Sequence, residues 1–295
     1  MKPRILFGCL LLVLAGSVFG ETKVAISGSI EWEQMEIKAM VKVDLASAGI
    51  RLPTGRVQAE EILLHEYPYL VRPYLLSILV DSAHTLEDLL NQGEFSIRST
   101  DTISASAHKL ASAFTLDFAF ISAQYILSLQ RLSRELIRHS RPTDSMRLLI
   151  PVPAVPYTGI LIIADEELPV HGRHSTALIR PCLFPKIWDT DMNLIYEQSM
   201  VDLQYVQRIV RYVSSNQIFR PNPSGLGEDL NRLVGSNPLR IIAQGVFGIY
   251  PTDPIIDRED ALQILSIEEN RRLLQEGRVA IVLNQQVLQT SFSTP

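Results

Sequence analysis

The chain has 295 residues, with 27 basic and 32 acidic side chains, a formal charge of −5, 46 % apolar residues and two cysteines. A mildly acidic chain with no Lys/Arg-rich run is a poor match for nucleic acid, or for an anionic membrane surface as its main partner. Two cysteines cannot build a disulfide framework, so a buried apolar core has to hold the fold.

Residues 1–20, MKPRILFGCLLLVLAGSVFG, read as a secretory signal peptide. Lys2 and Arg4 give the basic start, Ile5 to Ala15 the apolar core, and Val18, Phe19 and Gly20 the cleavage site. That core is shorter than the roughly 20 residues a permanent helix needs, so no stable membrane span is expected after cleavage. Leu6-Phe7-Gly8-Cys9 faintly resembles a lipidation box. Cys9 precedes most of the apolar core, however, and cleavage there would leave no working signal. A periplasmic or secreted product is expected. Its charge is −7, because the leader carries two basic and no acidic residues, and Cys182 is its sole cysteine.

The mature sequence opens with period-two alternation, Val24, Ile26, Ile30 and Trp32, then Ile37, Val41 and Val43, with Glu33-Gln34 between. This predicts a β-hairpin. A helix follows, entered at Thr54 or Gly55, which Pro68 and Pro73 should kink or split near Tyr67. Thr85-Leu86-Glu87-Asp88 has the pattern of a capping box and predicts a short helix stopped at Gly93. Residues 94–112 are Ser/Thr/Ala-rich and weakly periodic. Phe118 to Leu129 reads as a long strand, and 132–139 as a short helix. Pro151, Pro153 and Pro156 cannot lie in a central strand or helix, and they mark a boundary between domains spanning 21–148 and 149–295.

The second half is richer in strands. Ile160 to Ala164 is a continuous apolar run, suited to a strand covered on both faces. Residues 183–188 and 192–196 flank Asp189-Thr190-Asp191 as a hairpin. Strand character returns at Leu239, Ile241, Val246 and Ile249. Asp257 and Ser266 each precede a short helix as an oxygen-bearing cap, and Gly277 stops the second before a buried strand at 279–283. The fold class expected is α+β: a hairpin with helices and a long strand, then a strand-rich domain with two short capped helices.

The densest polar stretch is 165–175, DEELPVHGRHS. His171 and His174 with Asp165 or Glu167 offer a metal-ligand set, and a metal-assisted hydrolase is the enzymatic alternative. Pro169 and Gly172 prevent a regular helix from carrying both imidazoles, so a polar loop leaving strand 160–164 is the preferred reading. Cys182, between Pro181 and Leu183, reads as a buried small hydrophobe. Asp253 and Asp257 could be paired carboxylates, but a turn and a helix cap explain them as well. Ser224-Gly225-Leu226-Gly227 lacks the lysine of a phosphate loop. No catalytic or cofactor-binding residue is assigned, and no cofactor is expected. Ligand binding between the halves would need a sizeable pocket with converging polar groups.

Several of these segments carry a resemblance. They are 157–164, the Leu168-Pro169 loop, Pro185-Lys186-Ile187-Trp188-Asp189, Ile195-Tyr196, 237–243, 257–261 and 278–282, with Gly55-Arg56-Val57-Gln58-Ala59-Glu60-Glu61 before them. Together they resemble bacterial secreted envelope proteins related to flagellar assembly protein T and similar lipoproteins. The resemblance implies an α+β envelope protein that binds other proteins, without established chemistry or cofactor, and a non-enzymatic assembly or scaffold factor is the function expected. It carries over no functional residue. A contact surface is expected on the second domain, as an apolar patch or an unpaired strand edge.

Overall fold

The computed structural model describes residues 24–149, 152–218 and 224–294. The leader at 1–20, Cys9 included, lies outside them, as do Pro151 and 219–223. The fold is α+β, in two lobes.

In the first lobe, β1 (Val24–Glu31) and β2 (Glu36–Asp44) form the expected hairpin, with Val24 opposite Val43 and Glu31 opposite Glu36. Ile37, Ala39, Val41 and Val43 are buried while Met40 and Lys42 face out, so the pleat alone sorts the side chains. Helix α1 (Arg56–Leu76) lies across this sheet. The two prolines do not split it: of the two forms expected, a kinked helix or a pair of helices, the chain takes a single helix. It buries Ala59, Leu63, Tyr67, Val71 and Leu75, one strict i+4 stripe. Full burial of four large side chains contributes about 6–12 kcal/mol at 1.5–3 kcal/mol each. The prolines cost about 3 kcal/mol apiece. The carbonyls they leave without donors belong to Leu64 and Tyr69, both on the exposed face, where water can bond them.

Helix α2 (Leu86–Asn91) has the predicted capping box: the Asp88 amide donates to Thr85 Oγ1 and the Thr85 amide to Asp88 Oδ2. Residues 97–105, where no element was predicted, form α3 (Ile97–Ala105), capped by Ser96 and tied to α1 by the Arg72–Asp101 ion pair. Short strands β3 (His108–Lys109) and β4 (Ala113–Phe114) pair with β5 (Phe120–Ser128), which itself pairs with β2. Tyr125 on β5 stacks on Tyr67, centroids 4.0 Å apart, and its hydroxyl donates to the Leu63 carbonyl at 2.9 Å. Helix α4 (Leu129–Leu136) begins three residues before the predicted start, directly at the end of β5.

The second lobe begins with β6 (Ile160–Ala164), then a small hairpin of β7 (Leu168–Pro169) and β8 (Thr176–Ala177). Next come β9 (Ile187–Asp189), β10 (Leu194–Tyr196), β11 (Arg211–Ser214), α5 (Glu228–Val234), β12 (Leu239–Ile242), β13 (Gly245–Phe247) and β14 (Asp253–Ile256). The lobe ends with α6 (Arg258–Leu265), α7 (Glu268–Gln275), β15 (Val279–Leu283), α8 (Gln285–Leu288) and β16 (Gln289–Ser293). There are thus more helices here than the two expected. Asp257 caps α6 by accepting from the Glu259 amide at 2.8 Å. Ser266 does not cap α7: its own backbone is helical, and its hydroxyl donates to Leu262.

The lobe contains a parallel sheet ordered β11-β15-β6-β12 and a mixed sheet ordered β10-β9-β14-β13. The central parallel strands are apolar throughout because helices cover both faces. Leu230 and Val234 of α5 pack on Leu161, Ala280 and Val282, while Ile264 and Leu274 of α6 and α7 lie in the main core with Ile160, Ile162 and Ile281.

One strand crosses between lobes. β16 leaves the second lobe and pairs antiparallel with β1, Ser27 opposite Ser293 and Glu31 opposite Gln289, extending the first sheet. Phe292 stacks on Tyr74 of α1 with centroids 4.1 Å apart. The close approach requires glycine at 28: a Cβ there would sit 2.2 Å from the Lys38 carbonyl and 2.8 Å from the Phe292 ring. Gly28→Ala is therefore expected to lower stability in urea melts by about 1–3 kcal/mol, the usual cost of overpacking. An unchanged midpoint would mean that the two strands separate freely.

Candidate functional site

The 165–175 segment is a hairpin on the surface. The Asp165 carbonyl accepts from Asn284 Nδ2 at 3.1 Å, which fixes the exit of β6 to the end of β15. The Val170 amide donates to Ser175 and the Arg173 amide to Val170, with Gly172 at φ +74° completing the turn. Glu167 accepts from the Thr176 hydroxyl at 2.8 Å. The His171 amide donates to the Val246 carbonyl at 2.8 Å, and its ring lies 6.0 Å from that of Phe247. His171 and His174 are both exposed. The two imidazoles and the acids are not gathered: among the described residues, no group of three or more His, Cys, Asp or Glu is arranged to hold a metal ion.

The buried polar chemistry lies elsewhere. Asp253 occupies β14 rather than a turn, and it is fully buried. Its carboxylate accepts from the Lys186 amide at 3.2 Å, Trp188 Nε1 at 3.3 Å and Thr252 Oγ1 at 2.9 Å. Burial pushes its pKa above the ordinary aspartate range, and these donors oppose the shift. Asp257 is occupied as the cap of α6, so the two carboxylates do not act as a pair.

Beside it, Cys182 is completely buried. Burial and the charge of Asp253 push its thiol well above the usual range, the opposite of an activated nucleophile. The Tyr212 hydroxyl accepts from the Cys182 amide at 3.1 Å and donates to its carbonyl at 2.9 Å. The same region joins the lobes. The Leu183 and Phe184 amides donate to the Leu79 and Val80 carbonyls, and the Tyr250 amide to Ser82. A cleft of about 310 Å³ runs along this junction, walled by Ile30, Trp32, Ile78, Leu79 and Val287, with Arg180 its one charged side chain. None of residues 165–175 lines it.

Two surface features stand out. The first is the edge of the parallel sheet. Among the described residues β12 pairs with β6 alone, and Ile242 at its end is 66 % exposed. Leu239 and Ala243 donate to Gly159 and Ile163, so the period-two geometry directs the Arg240 and Ile242 amides away from β6. The opposite edge is closed: the Ser214 amide of β11 donates to Glu33 Oε1 at 2.7 Å.

The second is the loop joining β4 to β5, in the first lobe, where no contact surface was expected. Leu116 is fully exposed and Phe118 63 % exposed. Phe118 has φ +54°, a left-handed backbone costing a non-glycine residue about 1–2 kcal/mol. The loop's own bonds offset this: Thr115 N to Phe120 O, Phe118 N to Thr115 O, Ala119 N to Asp117 Oδ1 and Phe120 N to Thr115 Oγ1. At about 0.5–1.5 kcal/mol each they outweigh the strain. Sequence reading took Phe118 for the start of a strand; the Asp117 side-chain turn was the available signal.

Residues 23–135 match the family model for the N-terminal domain of Treponema pallidum Tp0624, and residues 159–285 match that for its second domain. The chain is thus similar, in the same order, to two domains of a bacterial protein. The matches concern Tp0624 and do not link the chain to flagellar assembly protein T. No curated protein matches the chain.

The raised pKa of Asp253 has a measurable consequence. A carboxyl that binds its proton more tightly when folded adds stability that is complete below the ordinary aspartate range and is lost as pH rises through the folded value. Asp253→Asn removes this dependence. Urea melts at stepped pH should show the variant gaining on the wild type across that window and then levelling off. A constant difference at every pH would mean that Asp253 does not titrate as the burial requires.

Proposed function

We propose that the chain is a non-enzymatic protein of the bacterial envelope, exported through its apolar leader, and an assembly or scaffold factor that holds other proteins. The observation that carries the reading is the edge of β12 that no strand among the described residues covers. An extended segment of a partner can pair along such an edge through main-chain hydrogen bonds, with alternate side chains adding selectivity. Arg240 and Ile242 are the two exposed side chains of the strand, one cationic and one apolar. The contrast between the edges supports the choice: the Glu33 carboxylate occupies the β11 amide that a partner strand would need, whereas on β12 the outward amides are bonded by no described residue, although Gln244 Nε2 takes the Ile242 carbonyl at 3.3 Å.

The bacterial setting draws support from the two domain matches, and export from the 1–20 leader. Within this class, a flagellar assembly role rests on the resemblance of 157–164, 237–243 and 278–282 alone, and motility of a deletion strain tests it.

Proline is tolerated on an edge strand when its missing amide would face solvent. Ile242→Pro therefore removes one outward donor and leaves the β6 ladder intact. The wild-type protein, immobilised and exposed to envelope extract, should retain a defined partner that the variant releases, while stability changes by less than about 1 kcal/mol. Recovery of no partner, or equal retention by the variant, would sink the strand-addition reading.

A further inference from the structure

The 114–118 loop has no part in the β12 reading, and its construction asks for a purpose. A phenylalanine is held in left-handed backbone, and both Phe118 and Leu116 are exposed in this short loop. Behind them, Phe114 lies 6.3 Å from Phe118, ring to ring. Two cations rest on the rings at the base of the tip. The Arg56 guanidinium is 5.6 Å from the Phe114 centroid, and Lys42 Nζ is 3.7 Å from that of Phe120.

We infer that this loop is a membrane-contact element, in which Leu116 and Phe118 enter the interfacial layer of a phospholipid bilayer while Lys42 and Arg56 sit at the level of the headgroup phosphates. Three observations favour a bilayer over a protein as the occupant. The amides of Thr115, Phe118, Ala119 and Phe120 are bonded within the loop and the Ala119 carbonyl accepts from Leu45, which leaves the Leu116 and Asp117 amides to the headgroup layer and its water. A backbone entering a region poor in water must bring its hydrogen bonds with it. The apolar tip is also small. Aromatic side chains bury roughly 150–250 Å² each. Two rings and a leucine therefore fall short of the roughly 800 Å² per partner of a stable protein interface. A bilayer sets no such minimum. Finally, cations stacked behind apolar tips match an interface in which anionic headgroups lie above the acyl chains.

The overall acidity does not oppose this, since apolar insertion supplies most of the attraction; Asp117 beside Lys42 and Glu60 beside Arg56 offset part of the local positive charge. The Asp117 carboxylate limits its depth. It is turned back onto the Thr115 hydroxyl and the Ala119 amide, and stays in the headgroup layer. No helix among the described residues is long and apolar enough to cross a membrane, so the contact is peripheral.

The test is flotation of the purified full chain with vesicles of phosphatidylethanolamine and phosphatidylglycerol. The wild type should float with them. Leu116→Ser combined with Phe118→Asn should weaken binding at least about tenfold. Asparagine is at home in left-handed backbone, so this variant should melt no lower than the wild type, which separates lost contact from lost fold. A wild type that stays with the soluble fraction overturns the inference, as does a double variant that floats equally well. A tip-dependent complex with a protein, formed without any vesicle binding, overturns it too.

Discussion

Neither lobe completes itself, and the rest of the architecture depends on how each finishes the other. β16 comes from the second lobe and pairs along β1. In return the β1–β2 turn reaches the second lobe, where Trp32 meets Tyr212 edge-on at 6.0 Å and Glu33 closes the edge of β11. The Trp32 amide donates to the Leu288 carbonyl, just before β16 begins. Side chains from both lobes share one buried apolar cluster, from Ile37 and Leu63 to Ile162 and Ile281. Loosening the exchange at either end would expose strand edges and apolar surface at once.

The buried polar groups fix the angle of that exchange. The Leu183, Phe184 and Tyr250 amides bond the Leu79, Val80 and Ser82 carbonyls across the junction, and beside them, within the second lobe, Asp253 accepts from Thr252, Trp188 and the Lys186 amide while Tyr212 brackets both polar backbone groups of Cys182. A fully satisfied network of this kind holds one arrangement, because any slip would leave a buried carboxylate short of donors. The result is a stiff body whose ionisable interior is committed to structure. What it offers outward is a strand edge that no described strand pairs, on one lobe, and a partly self-bonded apolar tip on the other. On these two features rest the proposed scaffold role and the inferred membrane contact.

Local signals were legible in the sequence where the physics is local. Alternation at Ile37, Val41 and Val43 gives the hairpin, the apolar run at 160–164 gives a strand covered on both sides, and Thr85 with Asp88 gives a capping box. Readings failed where a distant partner decides. The prolines of α1 are tolerated because the opposite face is anchored on the sheet, which no window around Pro68 can reveal. Ser266 has the composition of a cap but continues the helix before it. Asp253 before Pro254 has the form of a turn, yet donors from Lys186, Trp188 and Thr252 hold it in a strand. The 165–175 stretch was readable as a polar loop because Pro169 and Gly172 are local; its role in capping the β6–β15 seam through Asn284 was not. The crossing of β16 depends on a register more than two hundred residues apart, with no short-range trace beyond Gly28.

Native-state hydrogen exchange tests the mutual completion of the lobes most directly. Amides in β2 and β5 of the first lobe and in β6 and β15 of the second should share one highest opening free energy and respond together to denaturant, as members of a single cooperative unit. Two separate plateaus, with one lobe opening while the other stays protected, would contradict the account.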